Sequence, residues 1–256
     1  MKIILTDLDE TLLHSDKTIS DYTKDVLSQC KVAGILVGFC TSRGMAGIRD
    51  YIKQVQPDIV ICNGGACIYY NDELVHSATF TTEETRKILA KAYEVCGENC
   101  EITLDTLEDI YWNREKHETV KYVDNAIFDD FSNFTRTAMK ICVQTDDPEK
   151  ARMIAQSITS CDYLSFSDIP WYKFSSGIAT KEYAVKVLSE KLKVSLDEII
   201  AFGDDFNDIG MLKLCGKGIA MGNAIAQVKE IADDIALSNN EDGVAKYLQL
   251  HGIIAV

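Results

Sequence analysis

Two acidic groups in this 256-residue sequence have the residue types and the spacing to bind a cation. The first is Asp7-Leu8-Asp9, and the second lies between Gly203 and Asp208. Residues two apart in an extended chain point the same way, so Asp7 and Asp9 would project their carboxylates together. Carboxylates are ligands of hard cations such as Mg²⁺, and a carboxylate beside such a cation can attack the phosphorus of a phosphate ester. The spacing therefore fits metal-dependent phosphoryl chemistry.

Thr41 and Lys181 could complete such a site. Thr41 ends an apolar run and is followed by Ser42-Arg43, and Lys181 opens a pattern typical of a helix. A threonine hydroxyl can donate to a phosphoryl oxygen, and a lysine can stabilise the negative charge of the transition state. Each feature alone is more typical of a helix cap, a turn or a solvated charge. Their occurrence together, in a fixed order, favours one shared site.

Continuous rather than alternating apolar runs surround these residues. Such runs are typical of strands buried on both faces, as in a parallel sheet covered by helices. The runs are Lys2–Leu5, Ile35–Cys40, Ile59–Cys62, Ile199–Phe202, Gly218–Met221 and Asp234–Leu237. Ligands of open parallel sheets bind beyond the carboxyl ends of the strands. We therefore expect one crevice to be faced by the polar residues that follow the strands, namely Asp7, Thr41, Asn63, Asp204 and Asn223.

The middle of the chain shows a different pattern, in which a helix followed by two strands occurs twice, with one further strand between the two repeats. The helical stretches are Glu83–Cys96 and Pro148–Thr159. The strand-like stretches are Glu101–Thr106, Ile110–Asn113, Met139–Gln144, Tyr163–Phe166 and Trp171–Phe174. This pattern predicts a separate α+β unit at residues 82–176, inserted into an α/β domain formed by residues 1–81 and 177–256.

With these motifs the chain resembles the haloacid dehalogenase superfamily of phosphohydrolases, in the Cof-like branch with a C2-type α+β cap. The matching segments begin at Asp7-Leu8-Asp9-Glu10-Thr11, Thr41-Ser42-Arg43, Asn63-Gly64-Gly65, Gly177-Ile178-Ala179-Thr180-Lys181, Gly203-Asp204-Asp205-Phe206-Asn207-Asp208, Ala220-Met221-Gly222-Asn223 and Asn240-Glu241-Asp242-Gly243. The resemblance implies a Rossmann-like parallel sheet core with an inserted cap. It also implies an Mg²⁺-dependent phosphatase that hydrolyses phosphate monoesters of small metabolites, such as sugar phosphates, through an aspartyl-phosphate.

The resemblance assigns roles to the acidic residues. Asp7 would bind the metal and attack phosphorus. Asp9 would protonate the leaving oxygen and later accept a proton from water, while its backbone carbonyl would also bind the metal. Asp204 would be a direct metal ligand, and Asp208 would bind through water or pair with Lys181.

The remaining implied roles concern phosphate and the rest of the substrate. Besides Asp7 and Asp9, Thr41 and Lys181 would be catalytic. Phosphate or substrate would be bound by Thr41, Ser42, Arg43, Lys181 and Asn207. In the cap, the candidates for substrate specificity are Trp112, Arg114, Lys121, Trp171, Tyr172 and Lys173.

Two residues depart from the family pattern. Glu10 stands where capped members usually carry glycine, and Ser42 where many carry glycine after the threonine. The side chain and charge of Glu10 would reshape the leaving-group side of the pocket without removing a catalytic group.

The composition limits the partners and the location. With 26 Lys+Arg against 40 Asp+Glu, the formal charge is −14, which argues against nucleic-acid binding. The first apolar stretch is interrupted by Asp7, and no run approaches the length of a membrane span, so we expect a cytoplasmic protein without membrane contact. Nine scattered Cys residues are expected to be mostly buried thiols. A small phosphorylated metabolite is the expected partner, and a monomer or homodimer the expected state.

Two alternatives stay open at this stage. A phosphomutase of the phosphomannomutase type would share the core, but it would need clustered arginines in the cap, where Arg114, Arg136 and Arg152 are dispersed. A phosphoacceptor receiver domain would use a similar set of acidic residues, Thr and Lys. Receivers, however, carry the phosphorylated Asp on the third strand, which here ends in Cys62-Asn63.

Overall fold

The computed structural model describes residues 1–115, 126–166 and 169–254. The chain divides into two compact units. The core unit comprises Met1–Ser77 and Thr180–Val256, and the inserted unit comprises Ala78–Ala179. The sequence predicted the insert at residues 82–176, a few residues inside these limits.

The first half of the core unit contains three parallel strands followed by an antiparallel hairpin. The strands are β1 (Ile3–Thr6), β2 (Leu36–Cys40), β3 (Ile59–Cys62), β4 (Cys67–Tyr70) and β5 (Glu73–Ser77). The helices α1 (Asp21–Val32) and α2 (Arg49–Val55) connect the first three strands. Helix α1 begins where the hydroxyl of Ser20 accepts a hydrogen bond from the amide of Thr23.

In its described residues, the inserted unit consists of one sheet and two helices. Its elements are α3 (Thr82–Cys96), β6 (Ile102–Asp105), β7 (Ile110–Trp112), β8 (Ile127–Phe128), β9 (Lys140–Gln144), α4 (Pro148–Ala155), β10 (Cys161–Ser165) and β11 (Trp171–Ser176). The strand order among the described residues is β10-β11-β9-β6-β7-β8. The apolar side chains of α3, α4 and one sheet face form a common core that includes Ile88, Leu104, Ile141, Ile154 and Phe174.

The second half of the core unit returns to the parallel sheet. Its elements are α5 (Lys181–Leu192), β12 (Ile199–Gly203), α6 (Ile209–Leu214), β13 (Lys217–Ala220), α7 (Ala226–Ile231), β14 (Asp234–Ile235) and α8 (Gly243–Leu250). The complete sheet has the order β14-β13-β12-β1-β2-β3-β4-β5. Strand β1 lies between β2 and β12 and pairs with both in parallel, so the two halves of the chain form one sheet.

The structure confirms the predicted fold class and adds elements that the sequence pattern did not reveal. The hairpin of β4 and β5 extends the parallel sheet, and helix α2 fills the connection after β2. The second helix of the insert ends at Ala155 rather than at Thr159. Within the described ranges, no helix combines the length and the apolar character needed to cross a bilayer.

Candidate active site

The centre of the candidate site is a lysine that bridges two buried carboxylates. The ammonium Nζ of Lys181 donates to Asp7 Oδ1 and to Asp208 Oδ1, both at 2.6 Å. Lys181 is 3% exposed, Asp7 7% and Asp208 1%. Such charges are removed from water only where each has a partner. The structure therefore brings three of the predicted site residues into one buried ion-pair network.

Backbone geometry at strand and helix ends holds this network. Asp7 follows β1, and its amide donates to the carbonyl of Phe202 in the neighbouring strand at 3.0 Å. Asp208 is fixed because its Oδ2 accepts from the amides of Asp204 (3.0 Å) and Asp205 (3.1 Å). A side chain at Gly203 would have its Cβ 2.5 Å from Asp208 Cβ, so only glycine fits there.

Lys181 is placed by the start of helix α5. The hydroxyl of Thr180 caps this helix by accepting from the amide of Tyr183 at 3.1 Å. Gly65 packs directly against this helix start, since a Cβ there would lie 2.2 Å from the Thr180 carbonyl oxygen. Gly65 also has a φ of +105°, which disfavours any other residue. The turn after β3 thus fits closely against the turn that carries the lysine.

Three carboxylates around the lysine form a group with the dimensions of a metal site. Oxygens of Asp7, Asp204 and Asp208 lie within 4.8 Å of one another. The hydroxyl of Thr11 donates to Asp204 Oδ1 at 2.8 Å and so orients that carboxylate. Oxygen-only donors at this spacing suit a hard divalent cation such as Mg²⁺. The residues present therefore fit the predicted metal.

The proton affinities of these groups reflect an excess of negative charge. Burial raises the pKa of Asp7 to about 6, although Lys181 acts against this increase. Burial also raises the pKa of Asp204 to about 7, with the neighbouring carboxylates adding to the effect. Burial alone would lower the pKa of Lys181, but the charges of Asp7 and Asp208 outweigh it and raise that pKa. One ammonium therefore does not neutralise the cluster, and a bound cation would stabilise the ionised carboxylates.

Asp9 lies outside the three-carboxylate group and has cationic partners of its own. Arg43 Nε donates to Asp9 Oδ2 at 2.6 Å, and Arg43 Nη2 donates to Asp9 Oδ1 at 2.7 Å. Lys17 Nζ lies 3.2 Å from Asp9 Oδ1. Partial burial would raise the pKa of Asp9, but the hydrogen bonds and charge of Arg43 outweigh it and hold this pKa below its ordinary value. The ionised form of Asp9 is thus favoured.

The predicted phosphate-binding residues are arranged around a small open pocket of about 220 Å³. Thr41 is buried, and its hydroxyl oxygen accepts from the Arg43 amide at 3.1 Å. Ser42 and Asn207 are exposed and line the same pocket as the carboxylates. Arg43, predicted to contact phosphate, instead has its guanidinium on Asp9 in this structure. Its contact with phosphate stays a prediction.

Glu10, the departure from the family pattern, has a backbone conformation that glycine would adopt more easily. Its φ is +54°, in the left-handed region. Its carboxylate accepts from Lys17 Nζ at 3.0 Å, from Ser15 Oγ at 3.3 Å and from Asn239 Nδ2 at 3.1 Å. Its backbone carbonyl accepts from Asn223 Nδ2 at 2.7 Å. Glu10 thus joins the first loop to the loop after β14 through its side chain and to the loop after β13 through its backbone carbonyl.

Several supporting residues were not predicted from the sequence. Thr11 could have been noticed, because a hydroxyl two residues after Asp9 is well placed to contact a neighbouring loop. Lys17 and Asn239 gave no sequence signal, since their contacts with Glu10 depend on the tertiary fold. Gly65 was noted only as part of a turn, although its lack of a side chain is what the packing at Thr180 requires.

The cap candidates occupy different positions in the inserted unit. Trp112 is 5% exposed, and its indole N–H has no hydrogen-bond partner among the described residues. Arg114 donates to the backbone carbonyls of Asn113 and Asn99. Trp171, Tyr172 and Lys173 lie on β11, each partly exposed. Lys121 lies outside the described residues, and the contribution of all these residues to substrate specificity stays a prediction.

The cysteines follow the sequence expectation. All nine are free thiols, seven of them buried and the other two, Cys96 and Cys161, partly buried. Burial raises the pKa of Cys30 and of Cys100 to about 11 each, which keeps both thiols protonated.

Comparisons with known proteins give a consistent result. The model of the haloacid dehalogenase-like hydrolase family matches residues 4–248. A 5-amino-6-(5-phospho-D-ribitylamino)uracil phosphatase of Bacillus subtilis is 28% identical over 273 residues, covering 96% of each chain. A second protein of that organism, named as a phosphatase, is 27% identical and covers 97% of this chain and 99% of its own. A solved structure from Geobacillus kaustophilus superimposes with a TM-score of 0.87 at 21% identity, covering 99% of both chains.

Proposed function

The chain belongs to the haloacid dehalogenase-like hydrolases and is a phosphatase of that family, and from this premise we propose that it hydrolyses phosphate monoesters of small metabolites with the help of Mg²⁺. The observation that carries the proposal is the buried bridge of Lys181 between Asp7 and Asp208, with Asp204 within 4.8 Å of both carboxylates. A purely structural ion pair would not need the third carboxylate. The group supplies both a nucleophile and a cation site.

Asp7 and Asp204 would hold Mg²⁺ directly, together with the backbone carbonyl of Asp9, and Asp208, which already pairs with Lys181, would act on the metal through water. The cation would screen the negative charge of the phosphate dianion from the attacking carboxylate. Thr11 supports this arrangement, because its hydrogen bond fixes the carboxylate of Asp204.

In the first step, a carboxylate oxygen of Asp7 attacks phosphorus, and the bond between phosphorus and the ester oxygen breaks. An aspartyl-phosphate forms on Asp7, and Asp9, which first takes up a proton against the influence of Arg43 and Lys17, gives that proton to the departing oxygen. Lys181 stabilises the charge on the transferring group while keeping Asp7 oriented, since its Nζ already contacts the Asp7 carboxylate. Thr41 donates a hydrogen bond from its hydroxyl to a nonbridging phosphoryl oxygen.

In the second step, water attacks phosphorus and releases inorganic phosphate, which restores the Asp7 carboxylate. Asp9 accepts a proton from this water and thereby completes its cycle as acid and base. The ion pair with Arg43 favours the ionised carboxylate that this second step uses. The exposed Ser42 and Asn207 would contact the phosphoryl group or the entering water from the rim of the pocket.

The substrate class follows from the pocket and from a relative. The core pocket of about 220 Å³ is lined by the carboxylates, Thr41 and Lys181, the groups that would bind the phosphoryl end of a substrate. Sugar phosphates and related compounds are the class that we propose, supported by the relative named for a phosphorylated ribitylamino compound. Recognition of the rest of the substrate is assigned to the cap residues Trp112, Arg114, Trp171 and Lys173. A cytoplasmic location and a monomeric or homodimeric state stay predictions.

The alternatives are less well supported. Family membership over residues 4–248 excludes a receiver domain. A phosphomutase would need cap arginines available for a second phosphate, but Arg136 pairs with Asp109 at 3.3 Å and Arg152 with Glu149 at 2.7 Å. No observation on the described residues favours the mutase.

Metal dependence is the direct test of the proposed function. We expect hydrolysis of p-nitrophenyl phosphate to stop in EDTA and to return when Mg²⁺ is added in excess, because the ionised carboxylates alone would repel the phosphate dianion. Released p-nitrophenol measured by absorbance reports the rate. Undiminished turnover in EDTA would rule out a metal requirement. Activity that is lost in EDTA and does not return with excess Mg²⁺ would rule out Mg²⁺ as the cation.

A further inference from the structure

The carboxylate of Asp9 is held on two sides by cations. Arg43 binds both of its oxygens through Nε and Nη2 at 2.6 and 2.7 Å. Lys17 reaches Asp9 Oδ1 at 3.2 Å and Glu10 Oε1 at 3.0 Å. A two-point contact between guanidinium and carboxylate fixes orientation as well as position. The plane and the place of the Asp9 carboxylate are therefore both defined before any substrate arrives.

The two cations are themselves tied together by Tyr51. The Arg43 guanidinium lies over the Tyr51 ring at 5.5 Å from its centre, and the Tyr51 hydroxyl donates to the backbone carbonyl of Lys17 at 3.1 Å. Arg43 Nη1 also donates to the carbonyl of Gly47 at 3.3 Å. Contacts to helix α2 and the preceding turn thus limit the movement of the Arg43 guanidinium and of the backbone at Lys17.

Glu10 completes the arrangement at a conformational cost. Its φ of +54° is uncommon for a residue with a side chain, and such conformations persist where surrounding contacts compensate for them. The compensating contacts are the hydrogen bonds of its carboxylate with Lys17, Ser15 and Asn239. Lys17 is therefore anchored on its far side by Glu10, which explains why a charged residue can stand where glycine would be less strained.

These contacts contribute more to orientation than to stability. The side chains of Asp9, Arg43 and Lys17 are 40%, 29% and 44% exposed, and ion pairs in such surroundings stabilise a fold by only about 0 to 1 kcal/mol. The pocket also keeps its two acidic functions apart, since Asp7 pairs with Lys181 while Asp9 pairs with Arg43 and Lys17. The position of the Asp9 carboxylate is therefore set by contacts that do not involve Asp7, the proposed nucleophile.

We propose that Arg43, Lys17 and Glu10 form a clamp that positions the Asp9 carboxylate for proton transfer to the leaving group. The inference rests on the proposed function, and it makes Arg43 a positioning residue rather than a phosphate ligand. In this clamp, the carboxylate of Glu10 anchors the ammonium of Lys17.

The clamp predicts a dependence on the leaving group. Phenyl phosphate and p-nitrophenyl phosphate have similar shapes, but phenolate is far more basic than p-nitrophenolate and gains much more from protonation. Arg43→Met should therefore lower kcat/KM for phenyl phosphate by a factor on the order of 10 to 100 beyond its effect on p-nitrophenyl phosphate, since small misplacements of a catalytic group have effects of this size. Arg43→Lys should recover part of the loss.

Further variants complete the experiment. Lys17→Met and Glu10→Gly should show the same selectivity to a smaller degree, and Glu10→Gly should fold normally because glycine accepts the local backbone. Asp9→Asn is the reference for complete loss of the proton transfer. Lys53→Met, which removes an exposed ion pair with Asp50 on α2, is the matched control and should leave both rates unchanged. Thermal unfolding of each variant checks the fold.

The outcomes separate the clamp from the proposed function. If Asp9→Asn is selective against phenyl phosphate while the Arg43 and Lys17 variants lower both rates equally or not at all, the clamp is wrong and the phosphatase assignment stands. If Asp9→Asn is itself unselective, Asp9 is not the acid and the clamp falls with that role. If the wild-type protein hydrolyses neither ester with Mg²⁺, the proposed function fails and the clamp with it.

Discussion

Lys181 is the residue whose surroundings most clearly distinguish the site from a group of surface charges. It is 3% exposed and contacts two carboxylates at 2.6 Å, whereas the lysines of ordinary helix faces remain in solvent. Taken by itself, Lys181 was more simply interpreted as a solvated helix lysine, and only its occurrence with the acidic groups and Thr41 favoured a shared site. Only the packing of α5 against the turn after β3 shows that this lysine begins a helix inside the protein.

Replacement of Lys181 by methionine should weaken the fold as well as the activity. The change leaves Asp7 and Asp208 buried without their cation, and loss of one partner from a buried pair costs about 3 to 5 kcal/mol. Urea unfolding of the metal-free protein at neutral pH measures this loss. Lys186→Met on the same helix removes only the exposed pair with Glu182 and should cost less than about 1 kcal/mol. Equal effects of the two changes would contradict the account of a buried network.

Residue types and spacing could indicate the acidic groups, Thr41 and Lys181, because their chemistry is local to strand and helix ends. They could not indicate the partner of Asp9, which lies 34 positions away in Arg43. Side-chain pairing at such a separation depends on the tertiary placement of two loops. The same reason explains why Lys17 and Asn239 were missed.

The close contact between the Asn63-Gly64-Gly65 turn and the start of α5 shows how elements determine the site. Gly65 has a φ of +105° and no room for a Cβ, with the Thr180 carbonyl 2.2 Å from its place. Any residue larger than glycine must push the helix start away. Since Lys181 is the next residue after Thr180, the position of its ammonium, for which we propose a catalytic role, depends on this glycine.

Gly65→Ala should therefore lower both stability and kcat. The clash moves the start of α5, and small displacements of a catalytic group reduce rates by a factor on the order of 10 to 100. The matched control is Gly34→Ala, where φ is +81° but no atom lies within 4 Å of the new Cβ. That variant should lose about 1 to 2 kcal/mol of stability through backbone strain and keep its kcat. The two variants are compared by steady-state rates with p-nitrophenyl phosphate and by urea unfolding. A normal kcat in Gly65→Ala would refute the claim that this glycine determines the position of Lys181.

Elements with continuous apolar runs or clear helix caps could be predicted from the sequence, whereas short elements without such patterns could not. The helix predicted to open at Lys181 does begin there, as α5, because the hydroxyl of Thr180 caps its first turn. The hairpin of β4 and β5 was missed. Its turn residues Asn71 and Asp72 have φ values of +49° and +65°, as in the two-residue turns that connect antiparallel strands. The Asn-Asp pair between two apolar segments could therefore have been used to predict the hairpin.

At the scale of the whole molecule, the core unit is closed by contacts between its first and last segments. Asp242, at the start of α8, accepts from His14 Nε2 at 3.0 Å, from Ser20 Oγ at 2.6 Å and from Thr23 Oγ1 at 3.0 Å. Burial would raise the pKa of Asp242, but these hydrogen bonds outweigh it and lower that pKa. A single carboxylate thus joins the cap of α1 to the last helix.

Asp242→Asn should reduce stability in a pH-dependent manner. Because its pKa is lowered on folding, the carboxylate stabilises the fold fully above its unfolded pKa of about 3.9, and this stabilisation disappears as the pH falls through the folded pKa. At pH 7 the change should cost about 1 to 3 kcal/mol, as expected for hydrogen bonds to a charged group. Urea unfolding across pH should show the difference from wild type shrinking at low pH. A constant difference, or an equal effect of Asp50→Asn in an exposed pair, would disprove the linkage.

The formal charge of −14 also acquires a meaning at this scale. As composition it argues only against nucleic acid, yet an acidic protein must bind an anionic substrate. The proposed solution is local, because Asp7, Asp204 and Asp208 recruit a cation that, with Lys181, makes the pocket receptive to phosphate. The net negative charge of the whole protein would therefore repel a phosphate ester, whereas the cation and Lys181 in the site would attract it.

The most direct test of the central claim is the hydrolysis of p-nitrophenyl phosphate by Asp7→Asn in the presence of Mg²⁺. Asparagine preserves the size of the side chain but is no nucleophile toward phosphorus. We predict that kcat falls by a factor on the order of 10⁴ or more, while circular dichroism shows an intact fold. Turnover by the folded variant at a rate near that of the wild type would contradict the assignment of Asp7 as the residue that forms the aspartyl-phosphate.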